Sequence, residues 1–200
     1  MEMSGEERIP ATQDATWAAL NDPEILKACV PGCESIESVA ENEYQVLMVA
    51  RIGPVSAKFK GKLVLSDLNP PNSYAIAFEG QGGAAGFGKG SAQVQLAPEG
   101  AGTLLRYQVK ASVGGKLAQI GSRLVDAAAR KIAQDFFAAF NETVGAQHAA
   151  EGGEAGAHDA HAPGPVPRDP DLPQVSNASL IVLAAGALVA VLAALVAFLA

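Results

Sequence analysis

One stretch of this chain is able to cover a sheet. Gly114 to Phe140 (GGKLAQIGSRLVDAAARKIAQDFFAAF) opens on a glycine pair and contains no proline. Leu117, Ile120, Leu124, Ala128, Ile132, Phe136 and Phe140 recur there at three- and four-residue steps, the spacing of one apolar arc on an α-helix. Arg123, Asp126, Arg130 and Gln134 fall on the opposite side, with Asp126 and Arg130 at the favourable i,i+4 spacing. Small residues in the arc, Gly121 and Ala128, stand between bulky ones. The helix predicted over 114–140 can therefore lie across a curved sheet without filling the space beneath it.

The residues before it supply that sheet. Met1 to Ile9 reads as a polar edge strand closed by Pro10. Thr12 is placed to cap a helix through Leu20, with Asp14 in its first turn and Trp17 and Leu20 on its inner side. Pro23 opens a second short helix, Glu24 to Cys29, which Pro31 and Gly32 end. From Glu34 the period changes to two. Tyr44, Val46, Met48, Ala50 and Ile52 alternate with polar or outward residues, and Ala57, Phe59, Gly61, Leu63 and Leu65 alternate with Lys58, Lys60 and Lys62. Further inward sets follow: Tyr74, Ile76 and Phe78; Ala92, Val94 and Leu96; and Leu105 through Val113 in steps of two. Connections of hairpin length make the sheet antiparallel. An α+β fold is expected, in which a curved antiparallel sheet wraps around the long helix.

Past that helix the composition changes. From Met1 to Phe140 there are 15 acidic and 13 basic residues, a near balance that excludes the basic surface of a nucleic-acid binder. Residues 144–177 are rich in Gly, Ala, Pro and acids and have no apolar period, as a flexible linker does. Leu180 to Ala200 (LIVLAAGALVAVLAALVAFLA) carries no polar or charged side chain. At about 1.5 Å per residue it spans roughly 30 Å, the hydrocarbon thickness of a bilayer. The division expected is a folded domain over 1–143, a linker over 144–177 and a single transmembrane tail anchor over 178–200. No secretory leader precedes the domain, so it is expected in the cytoplasm, tethered to the cytoplasmic membrane.

Several motifs invite chemistry and fail on context. Gly83-x4-Gly88-Lys89 matches most of a phosphate loop, yet Gly90 stands where the magnesium-holding Ser or Thr belongs. The following residues alternate as a strand, whereas phosphate binding needs a helix N-terminus. The same stretch can instead form a gate over a cavity, with Phe87 as its tip. Cys29 and Cys33 are separated by three residues, one more than a redox pair, and no histidine of the folded part joins them as a zinc ligand. No nucleophile–base pair is legible, and the domain is not expected to be an enzyme.

Several segments together resemble one family: Met1 to Glu6 (MEMSGE), Trp17 to Glu24 (WAALNDPE), Lys27 to Glu34 (KACVPGCE), Gly53 to Val55, Phe59 to Lys62, Asp67 to Tyr74, Gly82 to Phe87 (GGAAGF) and Val113 to Leu124. The chain is similar to the CoxG family of carbon monoxide dehydrogenase subunits, within the START-like (SRPBCC) superfamily. The resemblance implies a helix-grip fold enclosing an apolar cavity. It also implies a non-catalytic accessory of a molybdenum hydroxylase, typically aerobic CO dehydrogenase, which recruits that enzyme to the membrane. A quinone, menaquinone or ubiquinone, is the expected ligand, linking the enzyme to the respiratory pool. The cavity would be lined by Met48, Phe59, Phe78, Val94, Tyr107, Leu117, Ile120, Gly121, Leu124 and Ala128. Pro31, Gly32, Gly86 and Phe87 are the candidates for its gate. A membrane anchor without ligand, or a START-like enzyme acting on a small apolar substrate, are the alternatives.

Overall fold

The computed structural model describes residues 2–52 and 55–153. The linker beyond 153 and the apolar segment 178–200 lie outside them. Among the described residues no helix is long and apolar enough to cross a membrane.

The chain begins with β1 (Glu2–Ile9), followed by α1 (Gln13–Ala19) and α2 (Pro23–Cys29). Both helices start as their sequences dictate. The Thr12 hydroxyl accepts from the Ala15 amide at 3.3 Å, and Asp22 Oδ1 accepts from the Glu24 amide at 2.9 Å with Pro23 in the first turn. Gln13 ties α1 to the sheet by donating to the carbonyls of Pro71 and Leu96.

Six strands follow: β2 (Cys33–Ala40), β3 (Glu43–Ile52), β4 (Val55–Asn69), β5 (Ser73–Gln81), β6 (Phe87–Glu99) and β7 (Gly102–Gly114). They form an antiparallel meander, and β1 closes its far edge against β7, giving the order β1-β7-β6-β5-β4-β3-β2. The period-two apolar sets all face one side, where Tyr44, Met48, Phe59, Leu63, Ile76, Val94 and Leu105 are buried. Lysines 58, 60 and 62 face the other side. Lys58 pairs with Glu34 at 2.7 Å and Lys62 with Glu43 at 2.9 Å, so part of that charge is satisfied within the sheet.

The covering helix departs from expectation in three ways. First, it is broken. A short α3 (Lys116–Gln119) ends at Gly121, whose φ of +91° is left-handed, and α4 (Ser122–Gly153) starts afresh. Glycine adopts that conformation at least cost, so the break is written at that position. Second, the break resets the rotation of the helix. The face on the sheet is Val125, Ala129, Ala133, Phe136, Phe137, Phe140 and Val144, while Leu124 is 54% exposed. Third, α4 continues to Gly153, past the boundary that composition suggests at 143.

Candidate functional site

The space between sheet and helix is the candidate site, and its walls are the inward strand positions. Met48, Phe59, Val94 and Leu117 each have 0% exposure. No surface that water can reach remains on these four side chains, so no void large enough for a water molecule lies against them. Phe78 is 4% exposed and Tyr107 9%. Ile120 and Ala128 are half-buried against the core. Leu124 and Gly121, expected on the lining, do not reach it: the restart at Ser122 turns Leu124 to solvent, and Gly121 forms the exposed left-handed junction.

Tyr107 is the polar group among the lining candidates. Its ring stacks on Phe137 with centroids 5.6 Å apart, and its hydroxyl lies above Gly5, where an added Cβ would fall 2.4 Å from the oxygen. The strand register places Gly5 opposite Tyr107 and Glu7 opposite Leu105, so Glu7 is on the inner side of β1. Burial raises the Glu7 carboxyl above its ordinary value. Burial, and then the charge of Glu7, raise the Tyr107 phenol, which keeps it a protonated donor at neutral pH. Glu7 escapes a reading of the sequence because β1 reads as polar. The alternation of Met3, Glu7 and Ile9 is the sign that one of its faces is turned inward. Phe137, Val125, Ala129 and Ala133 escape it for a different reason, since one continuous arc ignores the break at Gly121.

The gate candidates are held closed. Connecting β5 to β6 is a short turn that includes a 3-10 segment (Gly83–Ala85), with Ala85 buried and the Gly82 amide donating to the Gly86 carbonyl at 2.8 Å. Gly82 lies against the Phe59 ring. Gly86 (φ +120°) and Gly115 (φ +78°) touch through their backbones: a Cβ on Gly115 would come within 2.5 Å of Gly86 Cα. This clasp joins the β5–β6 turn to the start of α3. Pro31 and Gly32 are equally fixed, because the Gly32 carbonyl accepts from the Val49 amide at 2.8 Å. Phe87 does not cap the interior. Gly88, Ala92 and Val94 point inward, so alternation sends Phe87 to the outer face with Lys89, its ring lying over Gly114 and 48% exposed.

The glycine-rich motif leads into β6, and Lys89 stands opposite Glu79 and Ser112 in the ladder, with no helix opening after it. Cys29 is buried with its sulfur 3.6 Å from the Thr143 hydroxyl. Burial pushes the Cys33 thiol up to about 11, so it is protonated and unreactive at neutral pH.

The fold has relatives. Among solved structures, a conserved protein of Geobacillus kaustophilus superposes with a TM-score of 0.70 at 31% identity, covering 74% of this chain and 97% of that one. A Thermus thermophilus protein reaches 0.57 at 20% identity (74% and 99% covered), and a Mycobacterium smegmatis protein 0.54 at 14% (74% and 92%). These last two share the fold alone. No curated protein matches the sequence. The family model for CoxG, a carbon monoxide dehydrogenase subunit, matches residues 5–145, from the middle of β1 to the last buried turn of α4. On that match, which covers well over half of its length, this chain belongs to the CoxG family.

Proposed function

We propose that the protein is a non-catalytic accessory of an aerobic CO dehydrogenase or related molybdenum hydroxylase. It recruits that enzyme to the cytoplasmic membrane and holds a quinone between sheet and helix. The observation that carries the first half is the family match across the folded part, residues 5–145. The apolar run at 180–200 supplies the tether in this reading, with the domain on the cytoplasmic side.

For the quinone, the chemistry of the walls is suitable. The inward residues are apolar, and Tyr107 offers one protonated hydroxyl that can donate to a ring carbonyl. A bound quinone would supply an acceptor for the electrons released by the hydroxylase. This chain's own part is to exclude water, to orient the ring through Tyr107 and to release it. Because Met48, Phe59, Val94 and Leu117 are fully covered, a ligand enters only by displacing protein contacts.

The same packing favours a second reading, an adaptor with a permanently filled core. One experiment separates them. Residues 1–153 are purified from a quinone-producing host, extracted with organic solvent and examined by mass spectrometry. Near-stoichiometric quinone, lost in Tyr107→Phe or in an Ala133→Phe variant that fills the interior, supports the carrier. An empty extract, repeated after incubation with quinone, leaves the adaptor alone.

A further inference from the structure

The meander places its connections alternately at two ends, and the two ends carry opposite charge. At one end lie the β2–β3, β4–β5 and β6–β7 turns, the start of α1 and the start of α2. Asp14, Asp22, Glu24, Glu41 and Asp67 sit there, and among the described residues none of them forms an ion pair. A cation beside them, Arg8, is bound to Glu99 at 2.7 Å.

The other end holds the close of β3 at Ile52 and the start of β4 at Val55, the clasp of the β5–β6 turn on Gly115, and the α3–α4 junction. Arg51, Lys89, Lys116 and Arg123 are exposed there, with no described carboxylate within ion-pair distance. Its acids Glu2 and Glu34 are already taken by Lys110 at 3.4 Å and Lys58 at 2.7 Å, which leaves two, Glu79 across the ladder from Lys89 and Asp126 one turn into α4, against the four cations. Of the three exposed large apolar side chains among the described residues, two also stand at this end, Phe87 at 48% and Leu124 at 54%. The third, Val39, is at the acidic end on the edge strand β2.

We infer that the basic end is a docking surface for an anionic lipid bilayer, with Phe87 and Leu124 entering the headgroup region and the acidic end turned to the cytoplasm. Uncompensated cations flanking exposed apolar side chains match the two attractions such a surface offers, charge and interfacial burial. The opposite end is repelled by the same field, so one orientation is selected. That orientation presents the clasp to the bilayer. The inference rests on the membrane role proposed above for the presence of a bilayer, and is independent of any bound quinone.

The test uses the full chain reconstituted into phosphatidylcholine vesicles, with and without phosphatidylglycerol, whose acyl chains are brominated to quench tryptophan. Trp17 is the chain's one tryptophan, on α1 at the acidic end. A second single-tryptophan chain, Leu124→Trp with Trp17→Phe, reports from the basic end at an exposed position. Expected is quenching of the residue at 124 in anionic vesicles at low salt, with Trp17 bright throughout. Lys116→Gln and Arg123→Gln should each lower the docked-to-free ratio about fivefold, and raised salt should abolish docking. Phe87→Ser should weaken docking without altering the fold. Equal quenching at both positions, or quenching at 124 that ignores lipid charge and salt, overturns the inference. So does a bright residue at 124 in anionic vesicles, which would point to a protein partner for this end. An empty quinone extract would leave these readings unchanged, so the two proposals fail separately.

Discussion

The part of α4 that covers the sheet runs from Val125 to Val144, and its two halves are buried alike and held very differently. Along the C-terminal half, Phe136, Phe137 and Phe140 are 0–2% exposed, and their rings meet each other at 5.2 and 5.5 Å and Tyr107 at 5.6 Å. The N-terminal half covers the sheet with Val125, Ala129 and Ala133, which are 2%, 0% and 3% exposed. Fractional burial is equal; buried area is not. Each aromatic removes roughly 150–250 Å² from water, several times what an alanine can. With hydrophobic stabilisation near about 25 cal/mol per Å², the helix is clamped at one half and lightly laid at the other. The light half follows the break at Gly121 and lies at the basic end, where the clasp closes the interior. If the sheet and helix part anywhere, they part there.

The largest effect should come from the clamp. Phe136→Ala is expected to destabilise the domain by about 3–5 kcal/mol, since it removes a fully covered ring and leaves a cavity among rings. Val125→Ala in the light half should cost only about 1.6 kcal/mol, the transfer value of two methyl-sized groups. Urea denaturation of residues 1–153 measures both. Equal losses would mean that the halves are energetically alike and would remove the reason for opening at one end.

Next come the two glycines with positive φ that bound the light half. Gly86→Ala forces a Cβ to within 2.0 Å of the Gly114 carbonyl oxygen at φ +120°, so backbone strain and overpacking add. A cost of about 2–4 kcal/mol is expected from the two together. Hydrogen exchange should quicken at the Ala85 amide, which bonds to the Gly82 carbonyl at 3.1 Å. Gly121→Ala meets nothing within 4 Å, so only the left-handed strain of about 1–2 kcal/mol applies. If both changes leave exchange at Ala85 untouched, the clasp is not what closes this end.

These positions also mark what the sequence can and cannot yield. The strands are legible because a sheet with one wet face forces strict alternation: Tyr44 through Ile52 and Leu105 through Ala111 are buried as their period requires. The helix caps at Thr12 and Asp22 are legible because side chain and backbone interact within three residues. Rotation of α4 is not, because one left-handed residue changes the phase of all that follows while scarcely altering the apolar pattern. Leu124 and Val125 are both apolar, and only the placement of Ser122 decides which faces inward. Phe87 is hidden similarly: whether it belongs to a loop or begins β6 depends on the contact between Gly86 and Gly115, two residues far apart in sequence. Glu7 is hidden by the averaging that labels β1 polar, although half of its positions point inward.

Glu7 gives the smallest expected effect and bears on the clamped half, since its charge acts on Tyr107, which stacks on Phe137. Its carboxyl is raised by burial, so the folded state holds the proton more tightly than the unfolded chain does. Stability associated with this group is then fully present below the unfolded value of 4.5 and is lost as pH rises through the higher folded value. Glu7→Gln keeps the shape and cannot ionise, so its stability relative to the parent should rise with pH above 4.5 and show no gain below it. A spectrophotometric titration supplies a second reading. Removing the Glu7 charge lowers the Tyr107 pKa, but burial is the larger cause and keeps it above the ordinary 10.0. A parent and variant with parallel pH–stability curves and an unmoved phenol would show Glu7 to be solvated. The clamp would then be free of internal cost, and the contrast between the two halves sharper still.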